Sequence, residues 1–266
     1  MTRPLKYTVI VPCYNEEGSL PGLALRLARL REDLAPRGAL EVVLVDDGSA
    51  DRTADLARRL FGDGPGFRLL SHPRNLGLGA AFATGIEAAH GTLIGTVDAD
   101  GSYDPLLLVE LFARIEAGAD LATASPYHPQ GEVAGVGALR LVLSRGVSRL
   151  YGWVLPQHLY TYTSCFRAYR AEVAREISPS RPGFDAVAEM LCTALLRGYR
   201  VAEVPARLAT RTQGVSKLRI GREIAHHLRN LTQIALRRGP FAQHAAGRSD
   251  LALPPGARGS GTTERT

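Results

Sequence analysis

The sequence predicts an α/β fold, a mostly parallel sheet flanked by helices, and three observations carry that prediction. Strand and helix signals alternate along the first half of the chain, the pattern that calls for crossover connections and hence parallel strands. The strand signals are continuous apolar runs, as expected where helices cover both faces of a sheet. Three of the runs end in unusual segments, "PCYNEE", "DDGSADRT" and "DADGSYD", and in such sheets ligands gather at the carboxyl ends of the strands. With 266 residues, 45% of them hydrophobic, the chain has enough apolar material for a full core in one or two domains.

Taken in order, Tyr7 to Val11 is a short apolar strand ending at Pro12. Leu20, Leu23, Leu27, Leu30 and Leu34 recur at three- and four-residue steps, an amphipathic helix with one buried stripe. "LEVVLVDD" is the second strand, and "SADRTADLARRL" opens a helix capped by Ser49 or Asp51. "FRLLS" is the third strand, and "NLGLGAAFATGIEAAHG" a helix of small residues closed by Gly91. "TLIGTVDAD" is the fourth strand, with the helix "PLLLVELFARIEAG" behind it. Beyond it, "LATASPYHPQGEVAGVG" reads as a strand and a Gly/Pro loop, and "ALRLVLSRGVSRLYGWVL" as a helix. "TYTSCFRAYR" reads as a strand, "FDAVAEMLCTALLRG" as a helix and "YRVAEVPARL" as a strand. The last helical segment spans 219–238, with Ile220, Ile224, Leu228, Leu231 and Ala235 in an apolar stripe beside Arg219, Arg222, Arg229, Arg237 and Arg238. A basic amphipathic helix of this kind suits an anionic membrane interface, or packing on the domain or a second subunit. Residues 239–266 are poor in bulky apolar side chains and are expected to be disordered. The expected organisation is therefore a catalytic domain over 1–218, the amphipathic helix and a tail.

A formal net charge of +6 points to an acidic partner: nucleic acid, an anionic membrane or a phosphorylated small molecule. Cys13, Cys165 and Cys192 are odd in number and without a CxxC pair, which argues against a disulfide framework or zinc site and fits a reducing cytosol. The N-terminal apolar run is too short for a signal peptide, and no stretch reaches the roughly 20 apolar residues that span a bilayer. Neither G-x-S-x-G nor G-x-x-x-x-G-K-[ST] occurs, which removes the serine-hydrolase and P-loop classes. Basic-aromatic stacking motifs are also missing, so no nucleic-acid partner is expected.

"TVDADGSYDP" places Asp98, Asp100 and Asp104 within seven residues. In an extended segment Asp98 and Asp100 would project from one side, with Ala99 turned away. Two carboxylates on one edge suit a hard divalent cation, Mg²⁺ or Mn²⁺, that completes its shell with water and phosphate oxygens. An acidic turn is the alternative, and Asp104, just before Pro105, reads as a helix cap. Asp46 and Asp47 end the neighbouring strand, and Glu16 and Glu17 follow the first. Acids crowded on one rim repel one another unless cations or donor groups compensate.

"VPCYNEE", "VDDGSADRT", "NLGLGAAFATGI" and "VDADGSYDP", in this order and spacing, resemble the nucleotide-sugar half of glycosyltransferase family 2, which has a GT-A fold. The later "LSRG", "TSCFRAYR", "AEMLCTALLRGYRVAEVP" and "RTQGVSK" resemble its dolichol-phosphate and polyprenyl-phosphate mannosyltransferase branch. The resemblance implies that Pro12, Tyr14, Glu16, Val45 and Asp47 hold the base and ribose of a nucleotide sugar. It further implies that Asp98, Ala99 and Asp100 line the diphosphate, with Asp98 and Asp100 as metal ligands. Arg211 and Lys217 would close over the diphosphate or the acceptor. Three positions depart from the branch: Ser125-Pro126-Tyr127 lacks an expected arginine, Cys165 replaces a glycine, and Ser102 replaces a glutamine.

From Val133 to Ala171 there is no Asp or Glu, yet Arg140, Arg145, Arg149, Arg167 and Arg170 lie within the segment, which looks built for an anion. Arg140 and Ser144 share a helix face at four-residue spacing, and the resemblance assigns them to an acceptor phosphate. Arg145 and Arg149 read as surface or structural. Glu189 falls where relatives carry an acid near the acceptor. The expected activity is an inverting, metal-dependent transfer of a sugar from a donor of the GDP-mannose or UDP-glucose type to a polyprenyl phosphate. Asp100, Arg140 and Glu189 would be the catalytic residues of an enzyme peripheral to the cytoplasmic face of the membrane. The same donor site with a saccharide or other hydroxyl acceptor is the alternative, and it would need a general base such as Glu189.

Overall fold

In a computed structural model the described residues are 4–62, 66–135, 137–209 and 232, and the alternation of the first half appears as read. Its elements are β1 (Leu5–Cys13), α1 (Leu20–Leu34), β2 (Ala39–Asp46), α2 (Thr53–Phe61), β3 (Phe67–Ser71), α3 (Leu78–Ala88), β4 (Leu93–Thr96) and α4 (Leu107–Glu116). The second half adds β5 (Leu121–Ser125), β6 (Glu132–Val133), α5 (Ala138–Val154), β7 (Arg167–Arg170), α6 (Ala171–Glu176), α7 (Asp185–Leu196), β8 (Val201–Pro205) and β9 (Arg207–Leu208). Seven strands form one sheet in the order β3-β2-β1-β4-β7-β5-β8, and β7 runs antiparallel to both its neighbours.

The period-2 geometry of β1 divides the core. Tyr7, Val9 and Val11 point to the side packed by the leucine stripe of α1 and by Leu108, Leu111, Phe112 and Ile115 of α4. Ile10 points to the other side, against Phe82 and Ile86 of α3 and the apolar face of α7. The small residues of α3 let it approach closely: a Cβ on Gly85 would meet Ile10 Cγ2 at 2.4 Å. A Cβ on Gly79 would meet the backbone oxygen of Arg181 at 2.0 Å, and the Gly79 N–H donates to Pro182 O at 2.7 Å. Gly79→Ala is therefore expected to lose about 2 kcal/mol despite alanine's better helix propensity, because a backbone oxygen cannot swing aside. A denaturation midpoint equal to that of the unsubstituted chain would contradict this.

The structure departs from the sequence reading at several element boundaries, and β1 runs on through Pro12 to Cys13. β4 ends at Thr96 rather than at Asp100, because Asp100 Oδ1 accepts the Ser102 N–H at 2.9 Å and Gly101 takes φ +74°, which starts a turn. Only Arg167–Arg170 of "TYTSCFRAYR" is strand; residues 161–166 are held by side-chain hydroxyls instead. α6 and the two-stranded pair β6-β9 were not legible, and Ala206 separates β9 from β8. Ser49 does not cap α2; it accepts from the Asn15 N–H, whereas Asp51 accepts from the Thr53 N–H at the helix start. Asp104 does not cap α4, whose N-cap is Leu106; it accepts from the Leu106 N–H at 3.0 Å in the turn before the helix. The segments 219–238 and 239–266 lie outside the described residues.

Candidate active site

The loops after β1 and β2 are fastened to each other at the carboxyl end of the sheet. Asn15, at φ +52°, gives its N–H to Ser49 Oγ and accepts the Ala50 N–H on Oδ1. Glu16 N–H donates to Thr53 Oγ1, and Glu17 accepts from both Nε and the backbone N–H of Arg52. Part of the acidic rim is thus spent on backbone donors, which offsets its self-repulsion. Pro12, Tyr14 and Glu16 remain partly exposed along this edge.

Asp47 and Val45 take supporting positions. Asp47 is buried; its Oδ1 accepts the Leu76 N–H at 2.8 Å and meets His72 Nδ1 at 2.7 Å, and its Oδ2 accepts the Gly77 N–H at 2.8 Å. One carboxylate thereby fixes the whole loop that opens α3. Val45 is fully buried with Ala81 of α3 and forms floor rather than surface.

After β4, Ala99 packs into the core with Val97 and Tyr103, between the partly exposed Asp98 and the buried Asp100. Because the chain is turning here, strand alternation does not orient the two carboxylates. Both carboxylates act on the thiol of Cys165. Burial pushes its thiol well above the usual range, Asp98 adds to the rise as charge and hydrogen-bond acceptor, and Asp100 adds further, against the opposing charge of Arg167. Burial likewise raises Tyr103, eased by a hydrogen bond with Ser164 and reinforced by Asp98. Thr96 Oγ1 donates to Cys165 O at 2.6 Å and holds this segment on the strand.

Two hydroxyl pairs tie β5 and α5 to the segment before β7. Ser125 Oγ and Thr161 Oγ1 are 2.9 Å apart, and Ser144 Oγ of α5 and Thr163 Oγ1 are 3.2 Å apart. Sequence reasoning found Ser144 but missed Ser125, Thr161 and Thr163; the run "TYTSC" was the available signal. Position 140 lies one turn before Ser144 on α5. Arg145 sits over the Tyr127 ring at 5.4 Å, Arg149 is exposed, and Arg170 is bound to Ala119 O and Ile115 O. The reading of Arg167 as one of a set of anion-binding arginines is corrected. It is fully buried, with donors on Val187 O, Tyr162 O and Thr123 Oγ1, and it braces the sheet from within. Glu189 Oε1 accepts from Ser180 Oγ at 2.5 Å and Oε2 from the Arg181 N–H at 3.3 Å, so the structure shows it restraining the 180–181 loop. Arg211 and Lys217 fall outside the described residues.

Asp98 and Asp100 supply oxygen donors of the kind a hard divalent cation takes. Among the described residues there is no group of three or more His, Cys, Asp and Glu placed to bind a metal, so such an ion would draw its other ligands from water and substrate. No helix of the described residues is long and apolar enough to cross a membrane.

Comparison with known proteins fits this arrangement. The chain is 34% identical over 225 residues to polyprenol monophosphomannose synthase of Mycolicibacterium smegmatis, covering 81% of this chain and 82% of that protein. It is 30% identical over 232 residues to dolichol-phosphate mannosyltransferase of Pyrococcus furiosus, covering 86% of this chain but only 64% of that longer protein. Among solved structures, glucosyl-3-phosphoglycerate synthase from Mycobacterium tuberculosis in complex with phosphoglyceric acid superposes with a TM-score of 0.64 at 21% identity, over 88% of this chain and 80% of that one. The same enzyme has been solved with Mn²⁺, UDP-glucose and phosphoglyceric acid, with a TM-score of 0.63 at 20% identity, over 88% and 79%. At these identities the structural likeness establishes the fold, GT-A, and no more. The sequence profile of Glycosyl transferase family 2 matches residues 8–178, most of the sheet and its acidic rim, and the chain belongs to that family.

Proposed function

We propose that the protein transfers a mannosyl group from GDP-mannose to a polyprenyl phosphate, with inversion at the anomeric carbon. The observation that carries this reading is the pair Asp98 and Asp100 just beyond β4, in a chain 34% identical to a polyprenol monophosphomannose synthase whose segment from Val133 to Ala171 carries arginines and no acid. Pro12, Tyr14 and Glu16 would line the nucleotide, over the floor made by Val45 and the loop that Asp47 holds. Asp98 and Asp100 would bind Mg²⁺ or Mn²⁺, which supplies neutralisation of the diphosphate leaving group. Arg211 and Lys217 would close over that diphosphate. Arg140 and Ser144 would position the acceptor phosphate at the cytoplasmic membrane face.

A phosphate acceptor simplifies what the protein must do. Its second pKa lies at about 6, so at neutral pH it is largely dianionic and attacks without a protein base. Catalysis then rests on positioning and on charge at the two phosphates. On this route Glu189 is left to hold Ser180 and the Arg181 N–H rather than to remove a proton.

The test is transfer of labelled mannose from GDP-mannose to a polyprenyl phosphate, with UDP-glucose as the competing donor and a saccharide as the competing acceptor. Labelled lipid that releases mannose in mild acid is the expected product. Glu189→Gln is expected to keep the rate within about tenfold, since no proton has to be removed. Loss of turnover in that variant with donor binding intact would favour the hydroxyl route.

A further inference from the structure

Among the described residues Arg167 is the bulkiest side chain that the fold buries completely, and the three acceptors it holds are neutral. Nε donates to Thr123 Oγ1 at 3.4 Å, Nη1 to Val187 O at 2.5 Å and Nη2 to Tyr162 O at 2.9 Å. A guanidinium taken out of water is a poor source of stability, since well-packed apolar side chains of similar volume commonly do as well or better. What an apolar residue cannot do is hold three separate elements in the fixed geometry of one planar fork. Those elements border the candidate active site. Thr123 of β5 and Thr96 of β4 both stand opposite Arg167 in register, and Thr96 ends β4 two residues before Asp98. Val187 is in the first turn of α7, two residues before Glu189. Tyr162 belongs to residues 161–166, which run without regular secondary structure into β7. Thr161 and Thr163 in this segment pair with Ser125 and Ser144, and Cys165 O accepts from Thr96 Oγ1. One end of the segment therefore meets the helix that carries Ser144, and the other meets the strand that leads to Asp98. Hydroxyls turn to suit a shifted partner, whereas the guanidinium fork does not.

We propose that Arg167 is a positioning residue for the transfer: its guanidinium sets residues 161–165 against β4, β5 and α7, and so fixes where Ser144 stands relative to Asp98 and Asp100. That these are the acceptor and donor ends of one reaction rests on the function proposed above. Arg167 touches neither substrate; it acts through Tyr162 O and the threonines on either side of it. Reaction geometry is sensitive to such a brace, because a misplacement of about 1 Å between reacting atoms can cost about a hundredfold in rate. When the acceptor is out of line, water can take its place. The anomeric carbon–oxygen bond to GDP then breaks with its electron pair leaving on GDP, a bond to the water oxygen forms, and the water's proton goes to solvent, giving free mannose. A loosened segment should therefore change how the donor is partitioned between transfer and hydrolysis as well as how fast it is used.

Two variants of the full-length protein test this. Arg167→Lys keeps the buried charge but loses the fork, and Thr163→Val removes the hydroxyl partner of Ser144 at a position that is only partly buried. Labelled GDP-mannose is supplied with a polyprenyl phosphate, and labelled lipid and free mannose are counted separately. Arg167→Lys is expected to lower the rate of transfer about a hundredfold and to raise the ratio of free mannose to labelled lipid about tenfold, with KM for GDP-mannose within about twofold of the unsubstituted value. Thr163→Val should shift the ratio in the same direction by a smaller factor while its melting temperature stays close to normal, so the test survives if Arg167→Lys does not fold. A purely structural role would lower the fraction of active molecules, reducing both products together; an unchanged ratio in both variants would overturn the proposal. Hydrogen exchange supplies a readout that needs no turnover. Amides of residues 161–166 should exchange faster in Arg167→Lys while those of β1 and β2 keep their protection, and unaltered protection of 161–166 would also overturn it. If the unsubstituted protein used a saccharide in place of the lipid, the proposed function would fall, and the exchange data together with the ratio of water to saccharide attack would still decide the role of Arg167.

Discussion

Asp100→Asn is expected to lower kcat/KM for sugar transfer by about a thousandfold, the order found when a group that neutralises charge in a transition state is removed. Asparagine is nearly isosteric, and its amide oxygen can still accept the Ser102 N–H that Asp100 Oδ1 now accepts, so the turn at Gly101 is preserved. What disappears is one negative charge at the place where a cation would sit. Two measurements separate this from misfolding. Melting temperature without ligand should stay close to the unsubstituted value, and the further rise that Mn²⁺ or Mg²⁺ gives in the presence of GDP-mannose should vanish, because a ligand that binds only the native state must raise its stability. Asp98→Asn should behave alike, with an added effect at Cys165, whose thiol loses its carboxylate partner. A variant that turns over at near the normal rate and still responds to the metal would remove Asp100 from the site.

The second large effect concerns stability. Asp47→Ala should cost about 2 kcal/mol, since it removes the buried acceptor of the Leu76 and Gly77 N–H groups and the partner of His72, and charge-assisted bonds are stronger than neutral ones. His72 donates from Nδ1 to this carboxylate, so in the neutral ring Nε2 is the acceptor for the Thr84 hydroxyl 3.0 Å away. The loop, the ring and the first turns of α3 are therefore one hydrogen-bonded unit. Asp47→Asn should recover only part of the loss, because one of its two positions becomes an N–H that faces another donor. Urea unfolding reads the effect as a lower midpoint at unchanged slope. A loss below about 1 kcal/mol for the alanine variant would mean that water replaces the carboxylate, and that the loop is not set by Asp47.

The two halves of the molecule were unequally legible for a physical reason. In the first half each strand is a local apolar run and each helix a local periodicity, so β1, β2, β3 and α1 could be placed from a few neighbouring residues. The acids at the strand ends stood out because they follow directly on those runs. β7 could not be placed the same way: its position between β4 and β5 depends on pairing with Leu93–Thr96 and Leu121–Thr123, far away in sequence. Arg167 misled for the same reason. An arginine in an acid-free segment suggests an anion, and only the tertiary fold reveals that Val187, Tyr162 and Thr123 converge on it inside the core. The hydroxyl pairs were hidden because each serine or threonine is unremarkable until residue 125 meets 161 and residue 144 meets 163.

The inserted antiparallel strand also sets a timetable for the nascent chain. β3, β2, β1 and β4 are complete once Thr96 has left the ribosome and can assemble from the N-terminal segment alone, whereas β5 has no hydrogen-bonding neighbour until β7 and β8 have been synthesised. At about 5–20 residues per second, the Leu121–Ser125 strand, fully buried in the finished sheet, waits on the order of seconds with both edges open. This interval is when the polypeptide is most vulnerable to aggregation, and when a chaperone would have the most to protect.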